Sequence, residues 1–257
     1  MRPPTFLDLP SRQAKPRSRG VTHVLDKGLS LAATLDHLDT TAALIDIVKI
    51  GWGIGYVDPR LPERVTAYRE AGVLVSLGGT LLEIAAAQGR IDELRDWALA
   101  SGITTIEVSN GLGALDMRRK QQLIRTLSED FVVAAEVGSK DAATPVVAAE
   151  WLAEMESDLE AGARWVIAEG RESGTVGIYQ GDGEVRDALV DTLTSRIPVD
   201  RIIFEAPHKA QQAWFVRTIG PEVNLGNIPP EEVLPLETLR LGLRADTAAV
   251  TRLAALT

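Results

Sequence analysis

The chain has 257 residues, of which 45% are hydrophobic and 25% charged, with a formal net charge of −9 and no cysteine. That balance excludes a disordered chain and a coiled coil, no apolar run approaches the ~20 residues a membrane-spanning helix needs, and the acidic surplus argues against non-specific nucleic-acid binding. Without cysteine there is no disulfide framework, thiol nucleophile or thiolate metal site, and a cytoplasmic location is expected.

The first residues carry Arg2, Arg12, Lys15, Arg17, Arg19 and four prolines, and they lack the apolar core of a secretory signal. They read as a flexible arm over residues 1–19, followed by one domain over residues 20–257. The arm is also a candidate brace for a neighbouring subunit, so a homo-oligomer is an open expectation.

The rest of the chain repeats one pattern. Val21 to Asp26 reads as a strand and Leu31 to Leu44 as a helix. Ile45 to Ile50 runs into Gly51-Trp52-Gly53, and Pro62 to Ala71 is its helix. Val73 to Leu77 leads to Gly78-Gly79-Thr80 and a helical stretch from Leu81 to Ala100, interrupted near Gly89. Thr104 to Val108 ends in Ser109-Asn110-Gly111, with Met117 to Leu127 helical. Phe131 to Val137 runs toward Lys140, and Val146 to Ala161 is amphipathic. Ala163 to Ala168 precedes a charged, glycine-rich loop and a helix over Gly183 to Ser195. Arg201 to Ala206 reaches Pro207-His208-Lys209 and a helix over Ala210 to Ile219. Val223 to Leu225 enters Gly226-Asn227 before a last helical region, Glu231 to Leu243.

Eight such units, with strands too apolar to have a wet face, predict an α/β fold of the (β/α)8 TIM-barrel type. A doubly wound open sheet is the alternative, but the first turn lacks the G-x-G-x-x-G fingerprint of its dinucleotide-binding form.

In a barrel of this type chemistry collects at the C-terminal ends of the strands, which selects among the many charges. Asp26 and Lys27 follow strand one, Lys49 closes strand two, Glu107 strand four, and Glu136 with Lys140 strand five. Strand six supplies Glu169 and Arg171, strand seven Glu205 and strand eight Asn227. The loop AEGRESGTVGIY, from Ala168 to Tyr179, places Ser173 and Gly174 beside these charges, and Gly170, Gly174 and Gly177 allow its amides to turn toward a bound oxyanion. Converging carboxylates repel one another unless a cation compensates, and Mg2+ bridging one or two of them to substrate oxygens is the expected compensation. Glu107 and Glu136 are the leading metal candidates, with Glu169 and Glu205 as alternatives. A buried ion-pair network around the rim is the competing reading of the same glutamates. His23, His37 and His208 have no metal-binding spacing and read as packed or solvated. The five tryptophans are scattered and suit packing.

The segments VLDKGLS, VKIGWG, GGTLLEI, EVGSKD, EGRESGTVGIY, FEAPHKAQQAWF, VNLGNI and LETLRLGLRADT together resemble the phosphosulfolactate synthase family over about Arg19 to Thr247. The resemblance implies a magnesium-dependent barrel lyase that adds sulfite to phosphoenolpyruvate, giving 2-phospho-3-sulfolactate. In methanogens that reaction opens a route to coenzyme M, some bacterial relatives are associated with sulfolactate production, and plant heat-stress-associated proteins share the family. Lys140, in the EVG-x-K segment, matches the family's lysine and is the candidate general acid, while the strand-end and loop reading makes Lys27, Lys49, Arg171, Ser173, Gly174 and Asn227 the candidates to hold the small anionic substrates. Two positions depart from the family pattern: Asn110 stands where an acidic residue is common and Ser139 where a second lysine is common. Two readings compete, a related enol-phosphate enzyme using another nucleophile and a non-catalytic stress-associated barrel protein.

Overall fold

The computed structural model describes residues 6–139, 141 and 143–251. β1 (Thr22–Asp26) leads to α1 (Leu31–Thr41), and β2 (Ile47–Ile50) leads to a short α2 (Ile54–Val57) and to α3 (Leu61–Glu70). β3 (Leu74–Leu77) precedes α4 (Gly79–Ala87) and α5 (Ile91–Ala100), and β4 (Thr105–Val108) precedes α6 (Met117–Leu127). The second half continues with β5 (Val132–Val137), α7 (Ala148–Ala161), β6 (Trp165–Ala168) and α8 (Asp187–Thr194). It ends with β7 (Ile202–Glu205), α9 (Lys209–Thr218), β8 (Asn224–Ile228) and α10 (Val233–Arg240).

All eight strands pair in parallel with their neighbours, and β8 pairs with β1, so the sheet closes into a barrel. Closure rules out the open doubly wound alternative. The stretch from Leu81 to Ala100 divides into α4 and α5 at Gly89, whose φ of +68° continues no right-handed helix. The last strand runs further than its sequence suggests and takes in Gly226 and Asn227. A Cβ on Gly226 would stand 2.8 Å from the Ile203 side chain, so the missing side chain is what lets β8 lie against β7 there. No helix among the described residues is long and apolar enough to cross a membrane.

Strand alternation builds the interior in two storeys. Val21, Ile47, Ala134, Trp165, Ile167 and Ile203 form a small apolar cluster inside the barrel. Two residues further along the same strands or their direct extensions come His23, Lys49, Glu136, Glu169 and Glu205, which share the inward orientation by the two-residue period. The alternate residues, among them Val24, Val48, Val75, Ile106, Val133, Val166 and Phe204, pack outward into the large core beneath the helices. An apolar plug therefore closes one end, and charge faces the other.

The arm is tied to the plugged end. The Arg12 guanidinium donates to Glu237 Oε1 at 3.1 Å and to the Gly20 carbonyl at 3.0 Å, and Lys15 Nζ donates to the Ala42 carbonyl at 3.0 Å. Arg17 pairs with buried Asp46 at 3.1 Å, and Asp46 also accepts the Thr22 amide at 2.9 Å, fixing the start of β1. Beside them Arg240 is fully buried and donates to the carbonyls of Pro221, Val223 and Val21. Burial, reinforced by Arg12, lowers its pKa to about 9.

Burial pushes the Asp46 carboxyl above its usual range, opposed by the Thr22 amide and by Arg17. Removing Arg17 strands that carboxylate, and Arg17→Ala is expected to lower unfolding stability by about 3 kcal/mol at neutral pH. A carboxyl whose folded pKa exceeds its unfolded value favours the folded form when protonated, and more so in the variant. The deficit should narrow as the pH falls toward about 5. Urea unfolding of both proteins across that interval checks this, and a constant deficit would contradict it.

Candidate active site

The strands open into a mouth of about 610 Å³, including space open to solvent, lined by Leu25, Lys49, Trp52, Thr80, Glu107, Glu136, Glu169, Arg171, Glu172, Glu205 and Asn227 together with glycines of the βα loops. Lys49 lies at its centre. Its side chain is buried, with Nζ 3.0 Å from Glu205 Oε1 and 3.3 Å from Glu107 Oε2. Burial alone would lower the pKa of this ammonium. The charges of Glu107, Glu205, Glu136 and Glu169 outweigh it, and the pKa stands above its ordinary value. Lys49 is thus a fixed cation with little capacity to give up a proton.

The two carboxylates nearest Lys49 are held from behind. Glu107 Oε1 lies 3.1 Å from His23 Nε2, and Glu107 Oε2 accepts the Gly79 amide at 3.4 Å. The Asn227 backbone amide donates to His23 Nδ1 at 3.5 Å, and the other ring nitrogen faces Glu107 Oε1 at ion-pair distance without hydrogen-bond geometry. Glu205 Oε2 accepts the amides of Gly170 at 2.9 Å and Arg171 at 3.0 Å, while Glu169 Oε1 accepts the Arg171 amide at 2.8 Å.

That last arrangement corrects the reading of the glycine-rich loop. The amides of Gly170 and Arg171 turn inward as foreseen, but onto the protein's own carboxylates. Gly170 is required because a Cβ there would stand 2.6 Å from the Tyr179 ring and 3.0 Å from the Glu205 carbonyl. Ser173 and Gly174 are outside the lining of the mouth: Ser173 Oγ pairs with Thr175 Oγ1 at 3.0 Å, and the Gly174 carbonyl accepts Gln211 Nε2 at 2.8 Å. Lys27 is exposed on the rim, its Nζ 5.4 Å from the centre of the Trp52 ring. Lys140 lies outside the described residues.

Support extends outward from the strands. Lys120 is completely buried behind β5, and its Nζ donates to the Glu136 carbonyl at 2.8 Å and to Glu154 and Asp158 at 2.6 Å each. Burial raises the Asp158 carboxyl to about 6 against the pull of Lys120. Asp26 faces away from the mouth. Its Oδ1 accepts the amides of Gly28 and Leu29, and its Oδ2 accepts Tyr68 Oη and pairs with Arg64, which fixes the loop that carries Lys27. Asn110 builds its turn, accepting the Leu115 amide on Oδ1 at 2.8 Å. Trp52, Thr80 and His23 are the mouth residues and support that sequence reasoning assigned to packing or passed over. For His23 the available signal was its place two residues beyond Val21, on the inward face of β1.

Among the described residues no three acidic or imidazole side chains stand together as a ready metal-binding group. The donors nevertheless suit a hard divalent cation held by one or two carboxylates and otherwise by water and substrate, because the mouth offers oxygen ligands in excess. Asn227 Oδ1 adds a buried oxygen with no hydrogen-bond partner among the described residues.

The sequence model of the (2R)-phospho-3-sulfolactate synthase (ComA) family matches residues 10–246. The chain belongs to this family. It is 43% identical to the phosphosulfolactate synthase of Methanothermobacter thermautotrophicus over 244 residues, covering 93% of this chain and 95% of that protein. It is 42% identical to the phosphosulfolactate synthase of Bacillus subtilis, covering 94% and 97%. Among solved structures it is similar to the 3-hexulose-6-phosphate synthase of Salmonella typhimurium, with a TM-score of 0.55 and 18% identity, covering 87% of this chain and all (100%) of that one. It is also similar to the 3-keto-L-gulonate-6-phosphate decarboxylase of Vibrio cholerae, with a TM-score of 0.53 and 9% identity, covering 87% and 97%. At such identities these two likenesses show the fold alone.

If Lys49 holds the buried carboxylates, losing it strands them. Lys49→Met is expected to cost about 3–5 kcal/mol of unfolding stability. In the double variant with Glu205→Gln the loss should fall short of the sum by more than about 1 kcal/mol. Urea unfolding of the four proteins in the cycle measures this coupling, and additive losses would contradict the pairing.

Proposed function

We propose that this chain is a phosphosulfolactate synthase, adding sulfite to phosphoenolpyruvate to form 2-phospho-3-sulfolactate. The observation that carries the reading is the identity above 40% with phosphosulfolactate synthases over more than nine-tenths of this chain and of theirs. The chemistry of the mouth is compatible with it.

In the proposed reaction the sulfur lone pair attacks the methylene carbon, and the electrons of the carbon–carbon double bond move toward the carboxylate. The carbon that bears phosphate then takes up a proton, so one carbon–sulfur and one carbon–hydrogen bond form and no redox partner is required. Lys140 is the proposed proton donor at that carbon. Lys49 is unsuited to the task, since its surroundings hold its proton firmly. Its fixed charge, with the Arg171 guanidinium, instead favours the anion that develops on the substrate carboxylate.

Glu136 and Glu169, inward residues on and directly after the adjacent strands β5 and β6, are the proposed holders of Mg2+. Glu107 and Glu205 are the two carboxylates that pair directly with Lys49. If bound there, the metal would supply positive charge that stabilises the anion developing on the substrate. Anionic small molecules are the proposed partners.

Phosphorus NMR of the protein with phosphoenolpyruvate, sulfite and magnesium should show a new phosphate ester that requires sulfite and has the mass of the sulfonate adduct. Lys140→Met should reduce its formation at least 100-fold while leaving phosphoenolpyruvate binding within about threefold. No adduct from folded, metal-replete protein would contradict the reading.

A further inference from the structure

Three non-glycine residues among those described have a positive φ: Trp52 at 53°, Arg171 at 56° and Asn227 at 53°. All three line the mouth. Two have a local reason. The left-handed turn at Arg171 aims its amide at Glu169 and Glu205, and asparagine tolerates this region better than other side chains do.

Trp52 has no such reason. It lies with Gly53 (φ 68°) in a turn closed by the Ile54 amide on the Gly51 carbonyl at 3.0 Å. Both central residues are left-handed, as in a type I′ turn, where glycine, asparagine and aspartate are favoured and a bulky side chain is strained. Packing does not repay the strain, because Trp52 is 60% exposed. Its contact with Lys27, 5.4 Å from the ring centre, is a cation–π pair open to water, which is weak. A large apolar ring is therefore held in a costly conformation, in water, at the edge of an acidic mouth. Strain of this kind clusters at active sites and ligand clamps.

We propose that Trp52 contacts the substrate and sets its affinity: the indole closes over the bound enol phosphate and shields it from bulk water, while Lys27 brings a cation beside the anionic groups. The inference rests on the enol-phosphate reading of the mouth and adds a residue to it. Burial of the ring against the substrate is what compensates its strain.

Tryptophan fluorescence with acrylamide tests this in the full chain. Trp52 is the exposed tryptophan, so phosphoenolpyruvate with magnesium should reduce the quenchable fraction in the wild type and leave it unchanged in Trp52→Gly. Trp52→Gly should raise KM for phosphoenolpyruvate at least tenfold with kcat within about threefold, and Trp52→Phe should restore most of the affinity. Because glycine relieves the left-handed strain, Trp52→Gly should also raise Tm by about 2–4 °C, an effect that loss of structure would reverse. Shielding of Trp52 by phosphoenolpyruvate without any sulfonate adduct would overturn the sulfite reaction and support this contact. Adduct formation with an unchanged KM in Trp52→Gly would overturn the contact and leave the reaction standing.

Discussion

One buried ammonium, Lys49, makes this barrel's mouth possible. Carboxylates taken out of water at the ends of adjacent strands repel one another and lose hydration, and each is tolerable only with a cation or several N–H donors nearby. Lys49 reaches Glu107 and Glu205 directly and feels Glu136 and Glu169. The remaining demand is met by the loops. The Gly79, Gly170 and Arg171 amides donate to carboxylate oxygens, and the His23 ring lies 3.1 Å from one. Much of the irregular backbone at this end, including the left-handed Arg171, follows from that demand.

The two storeys of the interior explain how such charge is carried without loss of the fold. The apolar cluster from Val21 to Ile203 fills the barrel below the charged layer, and the outward faces of the same strands join the main core. The arm and Arg240 secure the opposite end through backbone carbonyls and Asp46. Stability and chemistry are thus placed at different ends of the same strands, which lets the mouth hold groups that a core alone would reject.

The eight strands were legible in the sequence because parallel strands buried on both faces read as apolar runs, and the glycine-rich exits marked where they stop. The carboxylates at the mouth were legible from the same exits: Glu107, Glu136, Glu169 and Glu205 all line it. What the strand-exit rule does not contain is partnership. Nothing in AEGRESG distinguishes an amide aimed at a ligand from one aimed at Glu205. The role of His23 depends on the register that sets β1 beside β8, a long-range fact. Gly226 and Asn227 resemble a turn locally, yet the packing of β8 against β7 and β1 makes them strand. Trp52 resembles a core residue by type, and only its φ and exposure reveal otherwise.

The mouth remains acidic after all of this pairing. Among its described lining residues are five acids, Glu107, Glu136, Glu169, Glu172 and Glu205, and two bases, Lys49 and Arg171. Adding Lys27 from the rim leaves the acids in excess. A polyanionic enol phosphate entering this field needs a further cation, which is the physical argument for the proposed magnesium. Calorimetric titration of the protein with phosphoenolpyruvate, in magnesium and again in chelator at matched ionic strength, tests that argument most directly. The account predicts binding at least tenfold weaker in chelator, and equal affinity in the two conditions would contradict it.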